Sequence, residues 1–242
     1  MNLCIDIGNK KTKIGIFKGR KLIKFLDFLT SAAETFSFPE DWKNIEIKNC
    51  GISSVVPSIN LLIKEKIENY FKIKPVFLDY KNCKIKIKVK NPTKTGIDRI
   101  VNCKGALEIL GCPIVVIDIG SATTIDVVDG KSTFIGGFIL PGPELWINSI
   151  KSTALIKKID NSIVLGYIGK ETSSAINLGL KYGLTGAIEK IISLIKRKFP
   201  NIDIVLTGGY CLKFSKNLNF EKKIRRYLTL EGINIILEEN DS

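Results

Sequence analysis

The residues best suited to chemistry lie in two Asp-x-Gly turns, 112 residues apart. The first begins at Asp6 in the segment Ile-Asp-Ile-Gly-Asn, and the second begins at Asp118 in Ile-Asp-Ile-Gly-Ser. Each turn follows an apolar strand, and its small residues leave backbone N–H groups open to an anionic oxygen. A carboxylate needs a cation or water between itself and a phosphate, and Mg²⁺ is the usual cation in phosphoryl transfer. The two turns therefore indicate phosphate binding.

Composition excludes several other chemistries. The chain of 242 residues has no histidine, so Ser-His-Asp and Cys-His catalysis and His-ligated zinc are excluded. A general base must then be a carboxylate, Lys, Tyr or Cys. None of the six cysteines forms a Cys-x-x-Cys pair, which argues against a zinc ribbon or a thioredoxin-like site and indicates a reducing compartment.

The charge balance favours a basic, solvated surface. There are 37 Lys plus Arg against 24 Asp plus Glu, a formal net charge of +13. The lysines are dispersed along the chain, which is typical of a solvated surface, while anionic small molecules and nucleic acid remain as alternatives. The chain shows no signal peptide and no apolar run of about 20 residues. We therefore expect a cytoplasmic protein without a membrane partner.

The repeated turns also predict the organisation of the chain. The residues at 5–8 and at 12 recur at 117–120 and 124, each copy being strand, turn and strand, which indicates a duplication. We expect an N-terminal half over 1–105 and a C-terminal half over 106–242. Strands alternate with helices, so the predicted fold class is α/β.

Periodicity predicts the elements around the turns. Expected helices cover 58–71 with Ser58 as N-cap, 97–110, and 172–198 with glycines inside the last one. Expected strands cover 51–57, the alternating lysine run 84–90, and 203–207 leading into a Gly-Gly turn. The lysine run is interpreted as a charged edge strand rather than a nucleic-acid stripe.

The paired turns resemble the two phosphate loops of the superfamily that contains acetate kinase, the sugar kinases and actin. Thr207-Gly-Gly209 resembles the Gly-Gly turn that contacts the nucleoside in that superfamily. No Walker A loop competes, because the spacing before Gly169-Lys170 fails. The resemblance implies two duplicated actin-like (ribonuclease H-like) ATPase halves with a nucleotide cleft between them.

Several further segments resemble the type III pantothenate kinases in particular, in matching order and spacing from about residue 3 to residue 212. These segments begin at Gly51 (G-I-S-S-V-V-P), Asn91 (N-P-T-K-T-G-I-D-R), Asp118 (D-I-G-S-A-T-T), Gly136 (G-G-F-I-L-P-G) and Ile168 (I-G-K-E-T). The resemblance implies ATP-dependent phosphorylation of pantothenate to 4'-phosphopantothenate, the first step of coenzyme A biosynthesis. Residues 213–242 carry no motif that we can use.

The resemblance also implies roles for individual residues. Asp98 is the expected catalytic base; it begins a helix, where the helix dipole favours a carboxylate. Arg99 is the expected partner of the pantothenate carboxylate. Asp118 resembles the ligand of a monovalent cation, K⁺ or NH₄⁺, and Mg²⁺ is expected with ATP. The other expected contacts are, for ATP, Asp6, Ile7, Gly8, Asn9, Lys10, Lys11, Thr12, Lys13 and Ser121, and, for pantothenate, Gly96, Ile97 and Thr172.

The family works as a homodimer with composite sites, so Thr172 is expected to reach pantothenate from the partner subunit. Three positions depart from the family pattern: Lys10 replaces Thr, Ile97 replaces Ala, and Val89 stands where many members have Tyr. Two alternatives remain open. One is a non-catalytic regulator, since some family members were named as transcription accessory factors, although no nucleic-acid motif supports it. The other is a kinase for another small hydroxy compound.

Overall fold

The computed structural model describes residues 1–153 and 167–240. The first sheet comprises β1 (Asn2–Ile7), β2 (Lys11–Lys18), β3 (Lys21–Leu29), β4 (Asn49–Ser54) and β5 (Val76–Phe77). The second comprises β6 (Lys86–Ile87), β7 (Ile114–Ile119), β8 (Ala122–Val128), β9 (Thr133–Pro141), β10 (Asp203–Thr207) and β11 (Lys223–Ile224). The helices are α1 (Asn60–Phe71), α2 (Ile97–Leu110), α3 (Pro143–Thr153), α4 (Thr172–Lys198), α5 (Cys211–Ser215) and α6 (Leu228–Asn240).

The strand order shows the duplication directly. The first sheet has the order β3-β2-β1-β4-β5, and the second contains the same order as β9-β8-β7-β10-β11, with β6 added beside β9. β1 pairs antiparallel with β2 and parallel with β4, and β7 pairs parallel with β10. Ile and Val dominate β7, and apolar side chains also make up most of β1 and β10, as expected for strands that are covered on both faces.

The chain folds into two compact units. The first contains Met1–Cys112, Val128–Gly136 and the chain from Tyr227 onward, and the second contains Pro113–Val127 and Gly137–Arg226. The C-terminal helix α6 thus packs in the first unit, against α2, β1 and β4. The predicted halves, 1–105 and 106–242, describe the duplication and stay a prediction; the compact units follow a different division.

The first unit buries both faces of its sheet. Leu3, Ile5 and Ile7 of β1 pack into one apolar cluster with α1, while Cys4 packs into a second cluster with α2 and α6. This alternation is the period of two that a strand imposes. The helices α2 and α6 meet backbone to backbone, since a Cβ atom on Gly105 would lie 2.9 Å from Gly232 Cα. Asp6 shares the face of Cys4 and lies one residue before the end of β1.

Most of the predicted elements are present. The helices over 97–110 and 172–198 are confirmed, and the glycines do not interrupt the latter. Gly183 is required there, because a Cβ atom would lie 2.9 Å from the Trp146 ring. None of the helices among residues 1–153 and 167–240 is long and apolar enough to cross a membrane.

Three local predictions are wrong. The strand predicted over 51–57 is β4, which begins at Asn49 and ends at Ser54. Ser58 does not cap α1: Pro57–Ile59 form a 3₁₀ turn, the helix begins at Asn60, and no side chain caps it. Proline favours a turn at that point, so Ser58 lies inside the 3₁₀ turn and Ile59 takes the capping position. The alternating run 84–90 keeps its pattern of exposed lysines and half-buried apolar residues, but only Lys86–Ile87 forms a strand. Lys84 has a φ of 48°, so the chain bends before the strand starts.

Candidate functional site

The first Asp-x-Gly turn joins β1 to β2 and carries an ion pair. Asp6 lies opposite Lys13 in the antiparallel register, and Lys13 Nζ lies 3.0 Å from Asp6 Oδ2. Asp6 is only 6% exposed, whereas Lys13 is half-buried. A nearly buried carboxylate is costly unless it is paired, so the lysine compensates the charge of this turn.

Hydrogen bonds from Thr30, at the end of β3, hold the same turn. The Thr30 hydroxyl donates to the Gly8 carbonyl oxygen at 2.7 Å and lies 3.1 Å from Thr12 Oγ1. The Thr30 N–H donates to the Lys10 carbonyl oxygen at 2.9 Å. The Gly8 N–H donates to the Lys11 carbonyl oxygen at 3.1 Å, which closes the turn. The hydrogen bonds at Gly8, Lys10 and Lys11 all use backbone atoms of the turn, which fixes its main chain.

The second turn, between β7 and β8, is enclosed by two glycines. Gly208 follows β10 with a φ of 93°, and a Cβ atom there would lie 2.3 Å from Asp118 Oδ1. A Cβ atom on Gly142 would lie 2.2 Å from the Ser121 carbonyl oxygen. Both distances are far inside van der Waals contact, so a side chain at either position would force the backbone apart. Ser121 itself is exposed and Asp118 is half-buried.

The segments that carry these glycines are also joined to each other. The Tyr210 N–H donates to the Ile119 carbonyl oxygen at 3.0 Å, which ties the Gly-Gly turn to β7. The Tyr210 hydroxyl donates to Glu144 Oε1, in the first turn of α3. Burial, and then this hydrogen bond, raises the pKa of Tyr210 to about 12. The phenol therefore stays protonated and keeps its donor role throughout the physiological range.

The expected catalytic carboxylate lies at the start of α2. Asp98 is in the first turn of the helix, is half-buried, and accepts a hydrogen bond from the Arg99 N–H at 2.9 Å. Gly96 precedes the helix, and a Cβ atom on it would lie 2.6 Å from Asp98 Oδ1. The helix N-terminus and this hydrogen bond both stabilise the ionised carboxylate.

Arg99 packs beside the segment that begins the G-G-F-I-L-P-G motif. Its Cζ lies 5.9 Å from the centroid of the buried Phe134 ring, within the range of a cation–π interaction. A Cβ atom on Gly136 would lie 3.6 Å from Val89 Cγ1. Within the first unit, β9 thus packs against both the start of α2 and the lysine run, through Arg99 with Phe134 and through Val89 with Gly136.

Three comparisons with known proteins identify the family. The family model described as "Type III pantothenate kinase" matches residues 2–194. The chain belongs to the type III pantothenate kinase family. A type III pantothenate kinase of Sulfurihydrogenibium sp. (strain YO3AOP1) is 35% identical over 96% of this chain and 98% of that protein. Another, of Endomicrobium trichonymphae, is 31% identical over 99% of both.

Solved structures place this type III pantothenate kinase in its fold class. A Campylobacter jejuni protein described as a Baf family transcriptional activator superposes with a TM-score of 0.66 at 21% identity, covering 99% of this chain and 98% of that one. Component A of Acidaminococcus fermentans (R)-2-hydroxyglutaryl-CoA dehydratase gives 0.56 at 13% identity, covering 100% and 99%. The predicted α/β fold class is confirmed, and the shared strand order of the two sheets agrees with the predicted duplication.

The expected ATP residues of the kinase differ in accessibility. Asn9, Lys10 and Lys11 are exposed, and Gly8 and Lys13 are half-buried. Ile7 and Thr12, in contrast, have no exposed surface. Ile7 and Thr12 therefore support the turn from inside. In this structure a ligand can contact only the more exposed residues beside them.

The expected pantothenate residues fall in two places. Gly96, Ile97, Asp98 and Arg99 lie together at the start of α2. Thr172 is the exposed first residue of α4, which is capped by Glu171. No comparison tests the roles of these residues, so the roles stay predictions.

Sequence reasoning missed three residues that support the turns. Thr30 binds residues about 20 positions earlier, and no local pattern marks it. Glu144 and Tyr210 are 66 residues apart, and each lies beside a recognised motif without belonging to it. A carboxylate in a helix first turn is a weak signal for Glu144, because the helix dipole alone explains it.

A divalent ion bound with the nucleotide is implied by kinase chemistry. Among residues 1–153 and 167–240, no group of three or more His, Cys, Asp or Glu side chains is placed to hold a metal. A nucleotide-bound Mg²⁺ does not need such a cage, because it keeps water and phosphate oxygens and takes one or two carboxylates. Asp6, which is paired with Lys13, and Asp118 each offer carboxylate oxygens at their own turn, a ligand type that suits Mg²⁺.

Proposed function

We propose that this chain transfers the γ-phosphoryl group of ATP to the hydroxyl of pantothenate and yields 4'-phosphopantothenate for coenzyme A biosynthesis. Membership of the type III pantothenate kinase family supports the reaction. The observation that carries the mechanism is the half-buried Asp98 carboxylate, fixed at the N-terminus of α2 by the Arg99 N–H.

Asp98 orients the pantothenate hydroxyl and accepts its proton. The helix N-terminus favours the ionised carboxylate, which makes Asp98 a weak base. A weak base suffices, because a loose phosphoryl-transfer transition state depends on the orientation of the nucleophile more than on early deprotonation. Arg99 binds the pantothenate carboxylate, and the Phe134 ring supports its guanidinium. Gly96 and Ile97 complete the wall of this site.

Residues 6–13 and Ser121 contact the ATP phosphates in this proposal. Backbone N–H groups of the turns donate to phosphate oxygens, and the exposed Lys10 and Lys11 add positive charge. Mg²⁺ supplied with ATP would neutralise charge on the phosphates, and Asp118 would hold K⁺ or NH₄⁺. The Asp118 carboxylate is kept in place by the close approach of Gly208.

The enzyme acts as a homodimer in which Thr172 completes the partner's pantothenate site. Tyr167 and Ile168, just before α4, are 88% and 82% exposed. Large apolar side chains exposed to this extent favour burial against another chain. Thr172 is itself exposed, as a contact delivered to a partner requires. A reducing cytoplasm agrees with the six cysteines, all described, of which none forms a disulfide bond.

The test is phosphate transfer from ATP to pantothenate, with Mg²⁺ and K⁺, by wild type and Asp98→Asn. Loss of a positioned base typically costs 10²–10⁴-fold, so we expect kcat to fall by about 10³-fold while the ATP KM changes by less than about threefold. Asp203→Asn is the control, because it removes an exposed carboxylate that lies 3.9 Å from Lys223. We expect it to leave kcat unchanged.

Two results would contradict the proposal. Equal kcat values for wild type and Asp98→Asn would remove Asp98 from the reaction. Folded wild type that turns over no pantothenate with any nucleotide would redirect the search to other small hydroxy compounds, and then to a non-catalytic regulatory role.

A further inference from the structure

The ion pair in the first turn has a consequence for metal dependence. The Lys13 ammonium lies 3.0 Å from Asp6 Oδ2, where a carboxylate would otherwise present a negative charge to the turn. Asp6 is 6% exposed, so water screens this charge poorly and the lysine beside it is its counter-ion. The turn that meets the phosphates therefore contains a built-in counter-ion.

The second copy of the repeat has an apolar residue at the position that corresponds to Lys13. Asp118 corresponds to Asp6, and Ile125, at the same offset of 112 residues, corresponds to Lys13. Ile125 is fully buried. The lysine is therefore a property of the first turn and not of the duplicated unit.

Lys11 carries the same charge as Lys13 but pairs with a different carboxylate. It lies two residues earlier on β2, and its Nζ lies 2.6 Å from Asp27 Oδ2 on the neighbouring strand β3. Both groups of that pair are partly exposed. Lys11 thus adds the same formal charge to the turn without neutralising Asp6.

We propose that Lys13 sets the divalent-ion dependence of nucleotide binding, because its ammonium neutralises Asp6 and lets the first turn accept a polyphosphate without a metal ion. This inference rests on the proposed binding of ATP at residues 6–13. Without Lys13, the Asp6 carboxylate repels the phosphate oxygens, and only a cation that bridges the two removes the repulsion. With Lys13, the same carboxylate is already paired.

The experiment measures the dissociation constant of ADP by calorimetry, once with Mg²⁺ and once with EDTA. The result is expressed as the dissociation constant in EDTA divided by the dissociation constant with Mg²⁺. We expect Lys13→Ile, which installs the residue of the second copy, to raise this ratio at least about tenfold over wild type, mainly by weakening the metal-free binding. Lys13→Gln keeps the length and polarity of the side chain, and we expect the same change from it.

Two further variants separate neutralisation of Asp6 from general attraction. Lys11→Ile removes one positive charge from the same strand, so it should shift both dissociation constants together and leave the ratio within about twofold of wild type. In the Asp6→Asn background the repelling charge is gone, so adding Lys13→Ile should no longer raise the ratio.

Each outcome decides the inference. If Lys13→Ile weakens ADP binding equally with and without Mg²⁺, Lys13 acts by attracting or contacting the phosphates and not by neutralising Asp6, and the inference is wrong. An unchanged ratio in both Lys13 variants, with ADP still bound, also overturns it and leaves the proposed function intact. Folded wild type that binds no ADP under either condition overturns the proposed function together with the inference.

Discussion

The two Asp-x-Gly turns share sequence and strand order, yet they are stabilised in different ways. The first is held by hydrogen bonds from Thr30 and by the Lys13–Asp6 ion pair. The second is held by close packing, with Gly142 and Gly208 against its backbone and the Asp118 carboxylate. Duplication has preserved the motif while each copy acquired its own supporting contacts.

The difference explains which positions tolerate change. The clamp of the first turn uses the Lys10 carbonyl oxygen, which every residue type supplies. The second turn is limited by space, because a Cβ atom added to Gly142 or Gly208 would lie within 2.3 Å of an atom of the turn. Substitutions in the second turn are therefore limited by side-chain volume, and those around the first turn by the loss of hydrogen bonds.

The largest effect on stability is expected from Gly208→Ala. The added Cβ atom meets Asp118 Oδ1 and the Ile119 backbone, and a φ of 93° is strained for alanine. We expect a loss of about 3 kcal/mol in the free energy of unfolding, measured by urea denaturation. Gly209→Ala is the matched control, since a Cβ atom there meets nothing within 4 Å. Equal stabilities of the two variants would refute the packing account.

The clamp of the first turn is tested by Thr30→Val. This substitution preserves shape but leaves the buried Thr12 hydroxyl and the Gly8 carbonyl oxygen without the Thr30 hydroxyl. We expect a loss of about 2 kcal/mol. Thr35→Val is the control, because the exposed Thr35 hydroxyl donates only to the Ala32 carbonyl oxygen within its own turn. If Thr30→Val costs no more than Thr35→Val, the hydrogen bonds do not stabilise the turn.

Tyr210→Phe tests the contact that joins the two glycine-bearing segments of the second turn. Removing the hydroxyl leaves Glu144 without its donor from Tyr210, and we expect a loss of about 1 kcal/mol at neutral pH. The pKa of Tyr210 is raised to about 12, so an unfolded tyrosine, with a pKa of about 10, ionises first.

The stability that Tyr210 contributes is therefore complete below about pH 10 and declines as the pH rises towards about 12. Urea denaturation of wild type and Tyr210→Phe at several pH values in this window measures the decline. The difference between the two proteins should shrink with rising pH. A constant difference would show that ionisation of Tyr210 is not linked to folding.

The smallest effect on stability is expected from Asp27→Asn, which removes the ion pair with Lys11 beside the first turn. Lys11 and Asp27 lie 2.6 Å apart, but both are partly exposed, so water and salt weaken their attraction. We expect a loss of less than about 0.5 kcal/mol at low salt and none in concentrated salt. A larger loss, or one that salt does not reduce, would mean that the surface pair supports the turn as Thr30 does.

Periodicity and motif spacing were enough to predict much of the fold. The 3.6-residue pattern over 97–110 and 172–198 predicted α2 and α4, because apolar residues on one face bury the helix. The start of α1 was predicted incorrectly, since the 3₁₀ turn after Pro57 overrides a favourable capping residue at Ser58. The lysine run predicted a longer strand than the two residues that pair with β9.

The sequence by itself determined the duplication, the family and the set of candidate carboxylates, because these depend on residue types at fixed spacing along the chain. Only the tertiary structure decided what supports those carboxylates. Thr30 reaches back to Gly8, Tyr210 reaches Glu144, and Lys13 rather than Lys11 meets Asp6. Such contacts depend on strand register and on the packing of distant segments, which local patterns do not encode.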